Sequence, residues 1–201
     1  LQLLRNAKIP IIRQFIARRA ASGDGLLSRL DQLVQFLSEA NDLHIQLDML
    51  DAIREALRGR RDLEPPDEWP KLYAKLAKSN SPRLRWRSLR LGLLLGDTKA
   101  MDTMRRLIMD PEASIADRRE GLQDLVEQKD LDLPLLLHKL IDQPAMRAAT
   151  LRGLAAYDHP NTPRIVLEHY ASFTIAEKQD AVVTLTSRPA YAFALLEAIE
   201  K

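Results

Sequence analysis

The sequence predicts an all-α protein, a right-handed superhelical stack of about six helix pairs. Apolar residues recur at helical spacing along almost the whole chain, and no segment shows the sustained alternation of a strand. Leucine and alanine supply most of the apolar content, whereas aromatic residues make up only 5%, which favours helices that pack through aliphatic side chains. One helical segment also recurs about every thirty residues, and a fixed period of that length indicates stacked repeats.

The recurring segment consists of a basic residue, an aliphatic residue four positions later and a leucine three positions after that. Its four regular copies begin at the basic residues Arg87, Arg118, Arg147 and Lys178. The steps between their aliphatic positions are 31, 29 and 31 residues. Toward the N-terminus the pattern is less regular, with Lys8 and Gln46 at its first position. We therefore expect one helix of each pair, here called a ladder helix, to carry this segment.

Signals for helix ends lie between the repeated segments. Ser81-Pro82 and Thr162-Pro163 each offer an N-cap followed by proline at the first helical position. Thr174 and Glu177 have the spacing of a capping box, whereas Pro111 and Pro144 each end the helix before them. These signals leave room for one partner helix after each ladder helix, and we place the partner helices near residues 98–109, 133–141, 162–171 and 189–200.

We expect a single continuous domain over residues 1–201. The acidic, proline-rich stretch 62–70 is interpreted as a loop, because the repeat spacing resumes on both sides of it. The sequence starts at Leu1 and ends within a helical pattern at Lys201, which indicates a domain of a longer protein. Two short antiparallel helices in each repeat cannot bury both of their apolar faces alone, and stacking neighbours cover them.

The composition disfavours several functions. The net charge is +2, from 30 basic and 28 acidic residues, so no strong field attracts the chain to nucleic acid or to an anionic membrane. Because the sequence has no cysteine, disulfides, thiol catalysis, cysteine-bound zinc and covalent c-type haem attachment are excluded within it. No uninterrupted apolar stretch approaches the roughly eighteen residues of a membrane span.

Six basic residues are the candidate contacts of a protein partner, namely Arg54, Arg87, Arg90, Arg118, Arg147 and Lys178. Four of them belong to the ladder and could form a row on the concave face for an acidic partner. Alternatively, they join one repeat to the next by pairing with helix ends or with carboxylates such as Asp117, Asp142 and Asp180. The structural role is the favoured interpretation, since solenoid ladders commonly serve packing.

Residues 83–90 form the densest basic cluster and include Trp86. Arginines beside an aromatic ring can bind phosphate and stack on bases, but a single amphipathic helix divides these charges between its faces. We expect Trp86 to pack beside Trp69 or a neighbouring helix. The arginines of segment 54–61 precede the acidic segment 62–68, which favours local charge compensation near a helix end.

The sequence predicts no catalytic, cofactor-binding or metal-binding residues. The histidines His44, His138, His159 and His169 have no zinc-site spacing. Carboxylates are numerous, but their pattern is that of a solvated surface. The glycine cluster 23–25 lacks the lysine and the strand context of a phosphate-binding loop, so it is interpreted as a helix-ending turn.

Several stretches are similar to a known family. Arg13–Arg19, Ile53–Arg61 followed by Trp69, Ala116–Glu120 and Leu185–Pro189 resemble the HEAT-repeat region of large multidomain proteins of planctomycetes. Those proteins also carry a propeller similar to sugar dehydrogenases and a cytochrome c-like haem domain. The resemblance implies a scaffold in a possibly redox-active, extracytoplasmic parent protein. The family's haem site needs Cys-x-x-Cys-His, which this sequence lacks, so the resemblance implies no cofactor and no enzyme activity for this segment.

The sequence thus predicts a non-catalytic scaffold or protein-interaction module that contacts a protein or neighbouring domains of the same chain. Two alternatives stay open at this stage. A nucleic-acid-binding HEAT protein, similar to alkylpurine glycosylases, requires a continuous basic groove with aromatic residues. A tetrapyrrole lyase or chaperone requires an apolar pocket with convergent polar groups.

Overall fold

The structure is a computed structural model that describes residues 10–20, 26–60 and 63–200. In these ranges it contains twelve α-helices, one short 3-10 turn and no strand, which confirms the all-α prediction. Lys8, the glycine cluster 23–25 and two members of the predicted charged segments, residues 61 and 62, lie outside the described ranges.

In chain order, the helices are α1 Pro10–Ala20, α2 Leu26–Glu39, α3 Leu43–Leu57, α4 Trp69–Leu76, α5 Pro82–Leu94, α6 Thr98–Met109, α7 Ile115–Glu127, α8 Leu133–Leu140, α9 Pro144–Leu154, α10 Thr162–His169, α11 Ile175–Leu185 and α12 Pro189–Ile199. The four predicted partner helices are α6, α8, α10 and α12, within a few residues of their expected bounds. The odd-numbered helices are the ladder helices.

The contacts between residues divide the chain into two compact units, Leu1–Thr103 and Met104–Lys201. In the first unit, the ladder helix α1 packs on α3 and α3 packs on α5, while the partner helices α2 and α4 contact each other. In the second unit, α7 packs on α9 and α9 on α11, while α10 contacts α12. Contact between every second helix is the arrangement that a stack of helix pairs produces.

The core of the first unit is built around Trp69 at the start of α4. The Trp69 side chain is fully buried, and its ring is stacked on Tyr73 with centroids 5.9 Å apart. Gly92 of α5 lets α6 approach closely, because a Cβ atom at this position would lie 2.7 Å from Ala100 Cβ. Tyr73 is the ring stacked on Trp69, and the Trp86 ring lies 5.6 Å from the Arg90 guanidinium on the same helix.

The core of the second unit uses the leucines of the repeat. Leu125, Leu154 and Leu185, the last positions of the recurring segment in α7, α9 and α11, are fully buried. Leu122 of α7 packs against the backbone of α9 at Gly153, where a Cβ atom would lie 3.3 Å from Leu122 Cδ2. The repeat in the sequence therefore marks the residues that hold successive ladder helices together.

Most predicted helix-end signals are confirmed. Ser81 Oγ accepts a hydrogen bond from Leu84 N at 3.3 Å. The capping box before α11 is complete: Glu177 N donates to Thr174 Oγ1 at 3.3 Å, and Thr174 N donates to Glu177 Oε2 at 2.8 Å. The prediction for Thr162 was wrong by one position, because α10 begins at Thr162 itself and Thr162 Oγ1 contacts His138 Nε2 at 2.9 Å. In the described part of the chain, no helix is long and apolar enough to cross a bilayer.

Candidate functional site

The six predicted contact residues fall into two structurally different groups. Three of them, Arg118, Arg147 and Lys178, lie near the starts of ladder helices in the second unit and contact the end of the helix before. The other three, Arg54, Arg87 and Arg90, lie around Asp51 on helices α3 and α5 of the first unit.

Arg118 connects three helices of the second unit. Its Nε atom donates to Ile108 O at the end of α6, at 2.9 Å, and its guanidinium donates to Gln143 Oε1 just before α9. The residue is only 5% exposed, so its charge is satisfied inside the protein. A buried arginine with these partners holds helix ends in register and is not free for a partner protein.

Arg147 repeats this arrangement one step later. Its Nε atom donates to Ile141 O after α8, at 2.9 Å, and its Nη1 atom lies 3.6 Å from Glu177 Oε1 in the first turn of α11. Its guanidinium also lies 5.5 Å from the ring centroid of Phe173. The predicted contacts to helix ends are thus present for both arginines.

The carboxylates named from the sequence pair elsewhere. Asp180 accepts from Arg152 Nη1 at 2.8 Å, and Asp142 Oδ1 lies 2.8 Å from His169 Nε2. Among the residues that the structure describes, Asp117 forms no ion pair with a ladder cation. Glu177 forms the ion pair with a ladder cation that was expected of these aspartates.

The ladder has a different register in α5 from the one that the leucine spacing suggests. The fourth residue of each of these helices is basic: Arg85 in α5, Arg118 in α7, Arg147 in α9 and Lys178 in α11. Arg85 Nη1 donates to Ser79 O at 2.7 Å, and Lys178 Nζ lies 5.4 Å from the ring centroid of Tyr170. The packing role in α5 therefore belongs to Arg85, two residues before Arg87. Counting from the Ser81 cap would have identified it.

Arg87 instead belongs to a polar cluster on the ladder helices of the first unit. We call this region the Asp51 surface and define it by Gln14, Phe15, Arg18, Asp51, Arg54, Arg87 and Arg90. Arg87 Nη1 lies 2.9 Å from Asp51 Oδ2 and joins α5 to α3. Gln14 Nε2 donates to Asp48 Oδ1 at 2.9 Å and joins α1 to α3.

Asp51 carries an ionisation penalty despite its arginine neighbours. Partial burial raises the pKa of the Asp51 carboxyl above its ordinary value, and the Arg87 and Arg54 guanidiniums oppose this shift. Asp48 adds to the rise and Arg90 to the fall. Both members of the Asp51–Arg87 pair stay accessible, since the Arg87 side chain is 35% exposed and the Asp51 side chain is 42% exposed.

A cleft of about 430 Å³ opens between α1 and α3 beside this cluster. Apolar and charged side chains share its walls, among them Ile11, Phe15, Arg18 and Glu55. Phe15 is 69% exposed and Ile11 is 72% exposed. Large apolar side chains beside partly exposed arginines are the composition that protein interfaces favour.

The basic cluster 83–90 is divided between different contacts, as its position on one helix predicts. Arg85 contacts the turn before α5, Arg87 pairs with Asp51, and the Arg90 guanidinium lies 5.6 Å from the ring centroid of Trp86. The cluster therefore presents no single row of arginines with a free aromatic ring, which is the arrangement that single-stranded nucleic acid requires.

Two histidines meet in the second unit at the start of α10. The rings of His138 and His159 are edge to face, with centroids 4.8 Å apart. Burial lowers the pKa of His138 to about 4, and His159 and Arg164 contribute to the same direction. Among the residues that the structure describes, no group of three or more histidine or carboxylate side chains is placed to hold a metal ion.

Each unit is thus a two-layer stack of α-helix pairs, the construction of a helical-repeat protein, and the first unit presents a polar surface on its ladder helices. No model of a known protein family matches the chain, and no curated protein matches it either.

Proposed function

We propose that this chain is a non-catalytic scaffold that binds a protein partner through the Asp51 surface. The observation that carries the proposal is the convergence of Arg54, Arg87 and Arg90 on one partly exposed carboxylate, Asp51, beside the exposed Phe15. Arg118 and Arg147 of the second unit differ, because their side chains are largely buried and contact helix ends. Arg87 pairs with Asp51 between α5 and α3 and is still partly exposed, so a partner can reach it.

The chemistry of the surface indicates the chemistry of the partner. An acidic side chain from a partner pairs with the partly exposed Arg87 beside Asp51, and an apolar side chain next to it covers Phe15 and enters the cleft. Helix α3 packs directly on both α1 and α5, so the contact residues are held in place before binding. Such preorganisation lowers the conformational entropy lost on association.

The resemblance of the repeats supports a place for this scaffold in a larger protein. In that setting, the partner is a neighbouring domain of the same polypeptide, and the helical stack fixes the geometry between a propeller and a haem domain. The segment itself contributes surface and rigidity to a redox-active parent, and it brings no cofactor of its own.

The proposal is tested by selection from a random peptide library displayed on phage. The bait is the wild-type chain, and the comparison is the triple variant Arg54→Ala, Arg87→Ala, Arg90→Ala. We expect the wild type to enrich peptides in which an acidic residue lies close to a large apolar residue. These peptides should bind the triple variant at least about tenfold more weakly, since hot-spot arginines typically contribute 1 kcal/mol or more each.

A matched control replaces three exposed arginines on other helices, Arg29 of α2, Arg152 of α9 and Arg164 of α10. It removes the same charge and should leave peptide binding within about twofold, because rim charges contribute little. The absence of any enriched motif, or equal loss of binding in both triple variants, would contradict the proposal. Circular dichroism and denaturation of each variant separate a binding defect from a folding defect.

A further inference from the structure

Three partner helices share the same length and the same kind of start. Helices α4, α8 and α10 each have eight residues, and proline is the second residue in each. Their first residues, Trp69, Leu133 and Thr162, are all 0% exposed. The three helices therefore face their cores in the same way and can be compared position by position. The third residue of each helix is exposed.

This exposed third position is charged in two of the helices and apolar in α8. Lys71 of α4 and Arg164 of α10 each pair with a nearby glutamate. In α8 the position is Leu135, which is 56% exposed, and Leu131 in the preceding turn is 89% exposed. Helix α8 packs on α9, and four helices follow it in the second unit. Its exposed leucines are therefore not those of a terminal helix.

Opposite charges lie at the two ends of α8. Asp132, the residue before the helix, has a side chain that is 68% exposed and pairs with Arg105 at 3.0 Å. Lys139, the seventh residue of the helix, is exposed and forms no ion pair within the described ranges. Residues three and four apart are neighbours on a helix, so Asp132, Leu135 and Lys139 share one side of it. We call this surface the α8 face and define it by these three residues and Leu131.

The order of acid, leucine and base on the α8 face is complementary to itself under a two-fold rotation. When two copies of α8 lie antiparallel, Leu135 meets Leu135 of the second copy near the rotation axis. Asp132 then lies opposite Lys139 of the second copy, and the same pair forms at the other end. A parallel arrangement would instead place like charges together, which is unfavourable.

We propose that the α8 face is a two-fold contact between two copies of this chain. The evidence is the self-complementary order of its charges, together with exposed leucines where α4 and α10 carry charged residues. The apolar area of the face is small, so the association is weak and reversible. The contact belongs to the second unit, and it does not depend on the Asp51 surface of the first unit.

Exchange of the two charges tests the contact. Asp132→Lys leaves two lysines on the α8 face, and Lys139→Asp leaves two aspartates, so each variant repels its own copy. Sedimentation equilibrium at low salt measures the dimer dissociation constant. We expect it to rise at least about fivefold in each single variant, because two attractive pairs become repulsive. An equimolar mixture of the two variants again pairs opposite charges at both ends, so its heterodimer should dissociate within about twofold of the wild type.

Helix α4 supplies the matched control. Glu68→Lys and Lys75→Asp make the same charge changes at the equivalent positions of α4, and each should leave the dissociation constant within about twofold of the wild type. Circular dichroism of every variant verifies that its helices are intact.

A cysteine placed near the axis gives a second measurement. Because the chain has no cysteine of its own, Leu135→Cys introduces one thiol in each copy. In a glutathione buffer that contains oxidised glutathione, we expect about tenfold more disulfide-linked dimer than for Lys71→Cys, the same position on α4. Intact mass spectrometry measures the linked fraction.

Several results would overturn the proposal. One is a wild type that stays monomeric up to about 1 mM, a concentration at which weak specific pairs associate. Another is an association that the single charge variants of α8 do not weaken, or that the α4 controls weaken equally. Equal cross-linking of the two cysteine variants would also place the contact somewhere other than on the α8 face.

Discussion

Arg147 on α9 and Glu177 on α11 form a nearly buried ion pair, 3.6 Å apart, whose side chains are 11% and 10% exposed. The same carboxylate accepts the Thr174 backbone amide and completes the cap of α11. The Glu177 side chain therefore caps α11 and also joins α11 to α9, so we expect its substitution to destabilise the second unit.

The cap predicts a pH dependence for Glu177. The hydrogen bond from the Thr174 backbone amide is the largest influence on Glu177, and it lowers the pKa below its ordinary value near 4.5. Burial opposes this shift, and Arg147 adds to it. A depressed pKa contributes stability that is present above the ordinary value and is lost as the pH falls through the lowered one. We expect Glu177→Gln to cost about 1 kcal/mol at pH 7 and progressively less as the pH falls below 4.5.

Urea denaturation of both proteins across this range measures the difference. Glu168→Gln is the control, because Glu168 pairs with Arg164 in an exposed position and should cost only a few tenths of 1 kcal/mol at any pH. A cost for Glu177→Gln that is the same at pH 3 and pH 7 would show that the carboxylate charge is not what stabilises the cap.

Adjacent arginines on α7 should have very different effects on stability. Arg118→Ala removes a buried guanidinium and leaves Ile108 O and Gln143 without their donor, so we expect a loss of roughly 3 kcal/mol. Arg119→Ala removes an exposed side chain that donates to Ala145 O, and should cost less than about 1 kcal/mol. Equilibrium denaturation in urea compares the two, and similar losses would argue against a structural ladder.

His138 should destabilise the second unit in mild acid. Its folded pKa is lowered to about 4 from 6.5, because burial, His159 and Arg164 all disfavour the charged ring. The stability that it contributes is fully present above pH 6.5 and is lost as the pH falls toward 4. We expect about 1–2 kcal/mol over this interval, less than the full shift implies because the ring is only half-buried.

The variant His138→Gln should show a flatter pH profile of stability between pH 7 and pH 4.5, measured by thermal or urea denaturation. His44→Gln is the control, since the His44 side chain is 86% exposed and its removal should leave the profile unchanged. If the profiles of the wild type and His138→Gln are parallel, the neutral ring is not the source of the acid sensitivity.

The glycines of the ladder helices should differ in their tolerance of alanine. Gly92→Ala places a methyl group 2.7 Å from Ala100 Cβ, an overlap that costs more than the roughly 1 kcal/mol of helix propensity gained. We expect a net loss of about 1–2 kcal/mol. Gly153→Ala meets the flexible Leu122 side chain at 3.3 Å and should lie within about 1 kcal/mol of the wild type.

The double variant Gly92→Ala, Ala100→Gly tests the cause of this loss. Removing the opposing methyl group should restore part of the stability despite a second helical glycine. Failure of the double variant to improve on Gly92→Ala, measured by urea denaturation, would place the cost somewhere other than in the close approach of α5 and α6.

The layered helix pairs could be predicted because the period of leucines reports which face of each helix is buried. Leu125, Leu154 and Leu185 were all identified in this way and are fully buried. The register of the basic residues was less predictable. Aligning the repeats by their leucines matched Arg87 to Arg118, whereas counting from the cap at Ser81 matches Arg85 to Arg118. The Asp51 surface required neighbouring helices to be placed side by side, since Gln14, Asp51 and Arg87 are far apart in the sequence.

By itself, the sequence determined the helical class, the positions of the ladder helices and the absence of any thiol chemistry, since spacing and composition are local properties of the chain. Only the tertiary structure decided which basic side chains have a packing role. Arg118 and Arg147 pack against helix ends, whereas Arg87 lies on an accessible surface. The physical reason is that a charged side chain pairs with residues of other helices, so its position in the sequence alone does not specify its partner. That approach depends on side-chain size at positions such as Gly92 and Gly153.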